Sequence, residues 1–124
     1  MRGVKAVLVV TISVLLLGVF ALAEQNQFGV SDLYRVSFTD KVRVADTLLP
    51  AGNYEIRHTM EGENHIMVFR QLGAKKPVEV RAKCTLVSLP GKAAADKKVF
   101  VLNAADERVL HELIFKGDMA KHVF

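Results

Sequence analysis

Three of the four histidines in this 124-residue chain fall on strand-like segments whose other positions on the same face are apolar. They are His58, His65 and His111. If these faces pack together, the three imidazoles approach one another, and Cys84 lies on a further inward face. Imidazole and thiolate ligands together suit zinc or copper. The pattern therefore makes His58, His65 and His111 candidate metal ligands.

The spacing of these histidines favours a plainer interpretation. No pair has the short separation, such as H-x-H or H-x-x-x-H, that places two imidazoles side by side on one element. Under this interpretation each histidine lies at a strand end or forms a local hydrogen bond. We therefore expect no cofactor and keep metal binding by the inward histidines as the alternative function.

Catalytic patterns are weak along the whole chain. There is no G-x-S-x-G nucleophile turn, and Cys84 lies on an inward strand face where its thiol would be buried rather than activated. The acidic pairs Glu61/Glu63 and Asp106/Glu107 fall in predicted turns, where carboxylates are usually just solvated. We therefore expect the protein not to be an enzyme. A small enzyme with a site built across several strands is the less favoured alternative.

The first residues have the pattern of a secretory signal peptide. Arg2 and Lys5 precede an apolar run over residues 6–20, and Ala21-Leu22-Ala23 provides an A-x-A cleavage site. The alternative is an uncleaved membrane anchor, but the apolar run is shorter than the roughly 20 residues that a spanning helix needs. We predict a signal peptide over residues 1–23 and a single domain over residues 24–124, with no stable membrane span after cleavage.

Cleavage would also change the charge and restrict the location. Arg2 and Lys5 would be removed, which leaves 15 basic against 13 acidic residues, or a net charge of +2. This near balance gives no reason to expect a nucleic-acid partner. The single cysteine cannot close an internal disulfide, so the fold must depend on its apolar core. We expect an exported protein, periplasmic or extracellular.

The mature region has the pattern of an all-β domain. Alternating apolar and polar residues, separated by polar turns, predict about seven strands. Their spacing favours an antiparallel β-sandwich, either Ig-like or jelly-roll-like. The spacing does not distinguish between these two strand connectivities. Residues 119–124 read as a tail that docks on its own core or on a partner. The predicted strands cover residues 33–38, 41–44, 53–60, 65–71, 78–86, 99–102 and 109–116.

A short corner motif lies between two of these strands. Leu49-Pro50-Ala51-Gly52-Asn53-Tyr54 combines a proline that presets a turn dihedral with a glycine that accepts positive φ. This stretch resembles the L-P-A-G-x-Y strand corner of small exported bacterial β proteins of the acidobacterial type, a domain of unknown function. The resemblance implies an all-β exported domain and brings no catalytic residues with it.

Together these patterns predict an exported, non-enzymatic β-sandwich that acts as a binding or structural module of the cell envelope. Its partner would be a protein or another envelope component. The alternative is a periplasmic metal-binding protein that uses His58, His65 and His111.

Overall fold

The computed structural model describes residues 28–124, which form an all-β fold of nine strands. Within that range no helix is long and apolar enough to cross a membrane. The predicted signal peptide, residues 1–23, lies outside the described residues. The strands are β1 (Leu33–Phe38), β2 (Val42–Val44), β3 (Thr47–Leu49), β4 (Gly52–Glu61), β5 (Asn64–Gln71), β6 (Glu79–Ser88), β7 (Lys97–Leu102), β8 (Arg108–Ile114) and β9 (Ala120–Val123).

The nine strands form one mixed sheet in the order β1-β4-β5-β6-β9-β8-β2-β3, and β7 pairs with β8. The strand pairs are antiparallel except for β2 and β8, which run parallel and meet at Arg43 and Val109. The all-β prediction is therefore confirmed. The expectation of purely antiparallel pairing is wrong at this one pair. Strand β8, more than 60 residues later in the chain, returns beside β2 and runs in the same direction.

Strand β6 changes partner along its length and so joins the two halves of the sheet. Residues 79–84 pair with β5, and residues 85–88 pair with β9. Buried side chains from both halves then form one apolar core. Tyr34 of β1, for example, stacks on Phe115, which directly follows β8, with ring centroids 3.8 Å apart. A single core of this kind suffices for a domain without disulfides.

Two of the nine strands, β3 and β9, were not among the seven that the sequence predicts. Strand β3 has only three residues and forms a hairpin with β2 through a turn at Ala45, whose φ is 53°. Strand β9 lies within the predicted tail and pairs with both β6 and β8. The tail therefore docks on its own domain. Strand β3 was missed because Thr-Leu-Leu does not alternate, and β9 because Lys121 is its single charged residue.

The corner motif lies between two strands as predicted, but the strand before it is the short β3 rather than the strand predicted over residues 41–44. Gly52 has a φ of 147°, a backbone conformation that side chains disfavour. Leu49 and Tyr54 are fully buried on either side of the corner. The Tyr54 hydroxyl donates a hydrogen bond of 2.6 Å to the carbonyl of Pro50. The tyrosine of the motif thus packs in the core and also closes the turn.

Strand β8 contains a bulge that reverses its inward face. Val99 of β7 pairs with Glu112 and the next residue pairs with Leu110, so His111 is the extra residue. Leu110 and Leu113 are consequently both buried although they are three positions apart. The sequence predicts that His111 faces inward, and this is wrong, because strict alternation cannot include a bulge. The His111 side chain is 42% exposed.

Candidate functional site: a buried polar network and a histidine pair

A polar network lies inside the core between β1, β9 and the turn that precedes β9. The Tyr34 hydroxyl donates a hydrogen bond of 2.5 Å to Asp118 Oδ2 and accepts one of 2.8 Å from the Ser31 amide. His122 Nε2 lies 3.4 Å from the same hydroxyl and 3.9 Å from Asp118 Oδ2. Asp118 is 2% exposed and His122 is fully buried. We refer to Tyr34, Asp118 and His122 as the inner network.

Cys84 of β6 borders the inner network. Its Sγ lies 3.9 Å from His122 Nδ1, and the residue is 5% exposed. Burial raises the pKa of the thiol to about 11, so the sulfur is protonated at neutral pH. The prediction that Cys84 is a small buried residue is confirmed.

The second part of the site is a pair of histidines on the neighbouring strands β4 and β5. His58 Nε2 lies 3.1 Å from His65 Nδ1, and the two rings are nearly parallel with centroids 5.2 Å apart. Phe28 packs edge-on against His65, with ring centroids 4.7 Å apart. Asp32 Oδ1 lies 3.8 Å from His58 Nδ1. His58 is buried, whereas His65 is half-buried and Asp32 is largely exposed.

His58 also connects the pair to the inner network. Its ring centroid lies 5.9 Å from that of His122. Burial lowers the pKa of His58, and the neighbouring His122 and His65 lower it further, while Asp32 opposes the shift. His58 is therefore neutral at physiological pH. A neutral imidazole offers one nitrogen lone pair, which is the form that binds a metal ion.

Two of the three predicted metal ligands come together and the third does not. His58 and His65 are in contact, but His111 points away at the β8 bulge, where its Nε2 lies 3.7 Å from Glu112. His122 is the histidine that lies beside His58 instead. Within residues 28–124, no group of three or more His, Cys, Asp or Glu side chains is arranged to hold a metal ion.

Sequence reasoning missed Asp118 because it lies in the turn that ends a predicted strand, and missed His122 because it lies in the segment interpreted as a tail. The tail carries only a weak signal of a strand, because Lys121 is polar between Ala120 and His122 but the other outward positions, Met119 and Val123, are apolar. Asp118 carries no such signal. It directly follows Gly117, whose φ is 89°, and turns usually leave an aspartate in solvent. Here the core folds over the turn.

The order Cys84, His122 and Asp118 resembles a nucleophile, base and orienting acid, but the geometry does not activate the thiol. The Cys84–His122 separation of 3.9 Å exceeds the roughly 2.6–3.2 Å of a catalytic nucleophile–base hydrogen bond. The raised pKa of the Cys84 thiol also argues against an activated nucleophile, because the reactive form is the thiolate. The buried polar groups instead form hydrogen bonds with one another. These bonds stabilise the fold, because buried polar groups without partners are costly.

The described surface contains shallow grooves separate from this network. One has a volume of about 520 Å³ and another of about 460 Å³. The larger is lined by Arg35, Val36, Ser37, Asn53, Leu72 and Gly73. The other is lined by Asp40, Lys41, Leu48, Asp106, Glu107 and Arg108.

Comparison of the chain with protein-family models, with curated proteins and with solved structures finds no match.

Proposed function

We propose that this chain is an exported, non-enzymatic β protein that serves as a binding or structural module of the cell envelope. The observation that carries the proposal is the burial of the groups best suited to covalent chemistry. Cys84, Asp118 and His122 are all 5% exposed or less, and the thiol is held in its protonated form. A substrate could reach them only if the core opened, so their role is to stabilise the fold.

Export and the sandwich arrangement are parts of the same proposal. The charged start, apolar run and A-x-A sequence of residues 1–23 support secretion. Support for a sandwich comes from the core, to which strands of both halves of the sheet contribute. We infer that the two halves face each other as the layers of a sandwich do.

Support for a binding role comes from the edge strand β7. Among the described residues, β7 pairs with β8 along one edge, and no strand pairs with its other edge. Val101 is 47% exposed and Leu102 is 67% exposed at one end of this strand, whereas Lys97 and Lys98 occupy the other. Lysines commonly protect a free edge from pairing, so the apolar end is the part that a partner would cover.

Secretion of the full chain from a bacterial host tests the proposal. We expect the exported form to lack residues 1–23 by intact-mass measurement. We also expect it to show no turnover of ester, peptide, glycoside or phosphoester substrates above a blank. Turnover that disappears in the Cys84→Ala or Asp118→Asn variant, both checked for folding, would refute the non-enzymatic role. Retention of the whole protein in the cytoplasm would refute export.

Metal binding is the second candidate, and the 3.1 Å approach of His58 Nε2 to His65 Nδ1 favours it. Two imidazole nitrogens at this separation can bind one ion together. Metal analysis of the full chain, purified without a histidine tag, would test this. Metal well below one equivalent, unchanged in the His58→Ala/His65→Ala double variant, would exclude it.

A further inference from the structure

The histidine pair shares its sheet face with a methionine. Met60 lies directly opposite His65 in the β4–β5 register and two residues after His58 on the same strand. Residues two apart on a strand face the same side, and side chains directly opposite across an antiparallel pair have Cβ atoms about 4.5–5.5 Å apart. Met60, His58 and His65 therefore form a triangle on one face at the end of the β4–β5 hairpin.

The distance between the two histidine nitrogens has a direct geometric meaning. If each nitrogen lies about 2.0–2.1 Å from one metal ion, a separation of 3.1 Å corresponds to an N–metal–N angle of about 100°. This angle lies between those of tetrahedral and square arrangements. The distance between the two nitrogens therefore need not change when an ion replaces the hydrogen bond, provided that both rings turn their lone pairs toward the ion.

The protons balance in this exchange. Without metal, one ring N–H lies between the two nitrogens, and each neutral imidazole carries one proton. If His58 holds that proton on Nε2, it moves to Nδ1 when the metal binds. Nδ1 lies 3.8 Å from Asp32 Oδ1, and a carboxylate behind a ligating histidine is the usual support for this tautomer.

We propose that His58 Nε2, His65 Nδ1 and the Met60 thioether form a binding site for monovalent copper. This inference rests on the metal-binding candidate function and adds the third ligand and the identity of the ion. The methionine side chain has three rotatable bonds, which allow its sulfur to reach an ion between the rings. Met60 is 38% exposed and His65 half-buried, so the ion can enter from solvent.

The donor set selects copper(I) over zinc. All three ligands are neutral, and a thioether is a soft ligand of the kind that favours Cu(I). Zinc sites usually include thiolate or carboxylate ligands that offset the divalent charge. The single thiol of the chain, on Cys84, is opposite His65 in the β5–β6 register, but its Sγ lies beside His122 Nδ1, 3.9 Å away. On three neutral ligands, a monovalent ion also costs less free energy to place in a partly buried site than a divalent ion does.

Competition titration tests the site. The full chain, purified without a histidine tag, is titrated with Cu(I) against a chromogenic Cu(I) chelator under anaerobic, reducing conditions. We expect one Cu(I) per chain. We expect His65→Ala and Met60→Leu each to lower the affinity by about tenfold or more, since an outer-shell partner alone is commonly worth that much. Met60→Leu conserves apolar volume, so folding should be unaffected.

The chain provides matched controls. Met119 is 39% exposed, close to the value for Met60, and His111 is a partly exposed histidine away from the pair. Met119→Leu and His111→Ala should leave the Cu(I) affinity unchanged. Circular dichroism of each variant separates loss of ligand from loss of fold.

The possible outcomes distinguish the specific proposal of a copper(I) site from the more general one of metal binding by the histidine pair. Cu(I) binding that is lost in His65→Ala but unchanged in Met60→Leu would overturn the thioether ligand and leave the histidine metal site standing. Zinc binding through His58 and His65 without Cu(I) binding would overturn the choice of ion alone. If neither ion binds above the competition of the chelator, both the copper site and the metal-binding function fail.

Discussion

The Tyr34 hydroxyl and the Asp118 carboxylate are 2.5 Å apart in the core and join strand β1 to the turn between β8 and β9. The two residues are separated by 84 positions in the sequence. Burial raises the pKa of Tyr34, and the hydrogen bond to Asp118 and its charge raise it further. The phenol is therefore a permanent donor to a carboxylate that has almost no contact with solvent.

Removing this donor should destabilise the protein. In Tyr34→Phe the ring can still stack on Phe115, but the buried carboxylate loses its hydrogen bond. We expect the free energy of unfolding to fall by about 1–3 kcal/mol, the usual penalty for an unsatisfied buried polar group. Urea unfolding measures it. The double variant Tyr34→Phe/Asp118→Leu should recover part of the loss, and equal stability of Tyr34→Phe and wild type would show that the bond contributes nothing.

The corner glycine should tolerate a side chain poorly. Gly52→Val is expected to cost about 1–3 kcal/mol, because the φ of 147° is strained for a β-branched residue. The cause would be mainly backbone strain, since apart from the two adjoining residues no atom lies within 4 Å of the added Cβ. Gly91→Val is the matched control, because Gly91 has the same open space without a positive φ. Equal effects of the two substitutions in thermal unfolding would contradict this explanation.

Metal-free protein should lose stability in mild acid. The pKa of His58 is lowered in the folded state, so the unfolded chain takes up a proton first as the pH falls. The contribution of His58 is therefore complete above its unfolded pKa of 6.5 and is lost as the pH falls from there toward the lower folded value. His65, His122 and Asp32 face the same ring, and Asp32 reduces the effect.

The measurement is urea unfolding with a chelator present, at a series of values between about pH 7.5 and 5.5. His58→Gln removes the titrating group, so the free energy of unfolding should fall less steeply as the pH is lowered. His111→Gln, at the partly exposed bulge residue, should leave the decline as it is. Stability that increases toward acid in wild type would mean that the folded state raises the pKa of His58 instead.

Removal of the last strand should abolish folding. Deletion of residues 119–124 takes away β9, which pairs with β6 on one side and β8 on the other. It also removes the fully buried His122. We expect the truncated chain to lack a cooperative thermal transition. A stable truncated protein would show that the tail is dispensable and would favour a partner as its natural contact.

Period-two alternation predicted the strands that are long enough to display it. The buried positions Tyr54, Ile56 and His58 of β4 follow directly from the pattern, as do Ala82 and Cys84 of β6. Alternation identified the three-residue β2, whose sequence is Val-Arg-Val, but failed for β3, because Thr-Leu-Leu does not alternate, and for β9, where Lys121 is the single charged residue.

The candidate site was only half predictable for a related reason. The approach of His58 to His65 follows from their shared hairpin, where local register fixes the neighbours. The placement of His111 depended on an unbroken strand, and a single extra residue turned it outward. The inner network joins Tyr34 to residues more than 80 positions away, and such pairing is set by topology rather than by local pattern.

The central claim is that the groups best suited to catalysis are sealed in the core, and the reactivity of the Cys84 thiol tests it most directly. The native full chain is mixed with a thiol reagent at several pH values near neutrality. We expect labelling only at the rate at which the protein unfolds, with rapid reaction once denaturant is added, because burial holds the thiol pKa near 11. Rapid labelling of the native protein, with a thiol pKa near or below neutral, would contradict the claim and point to an active nucleophile.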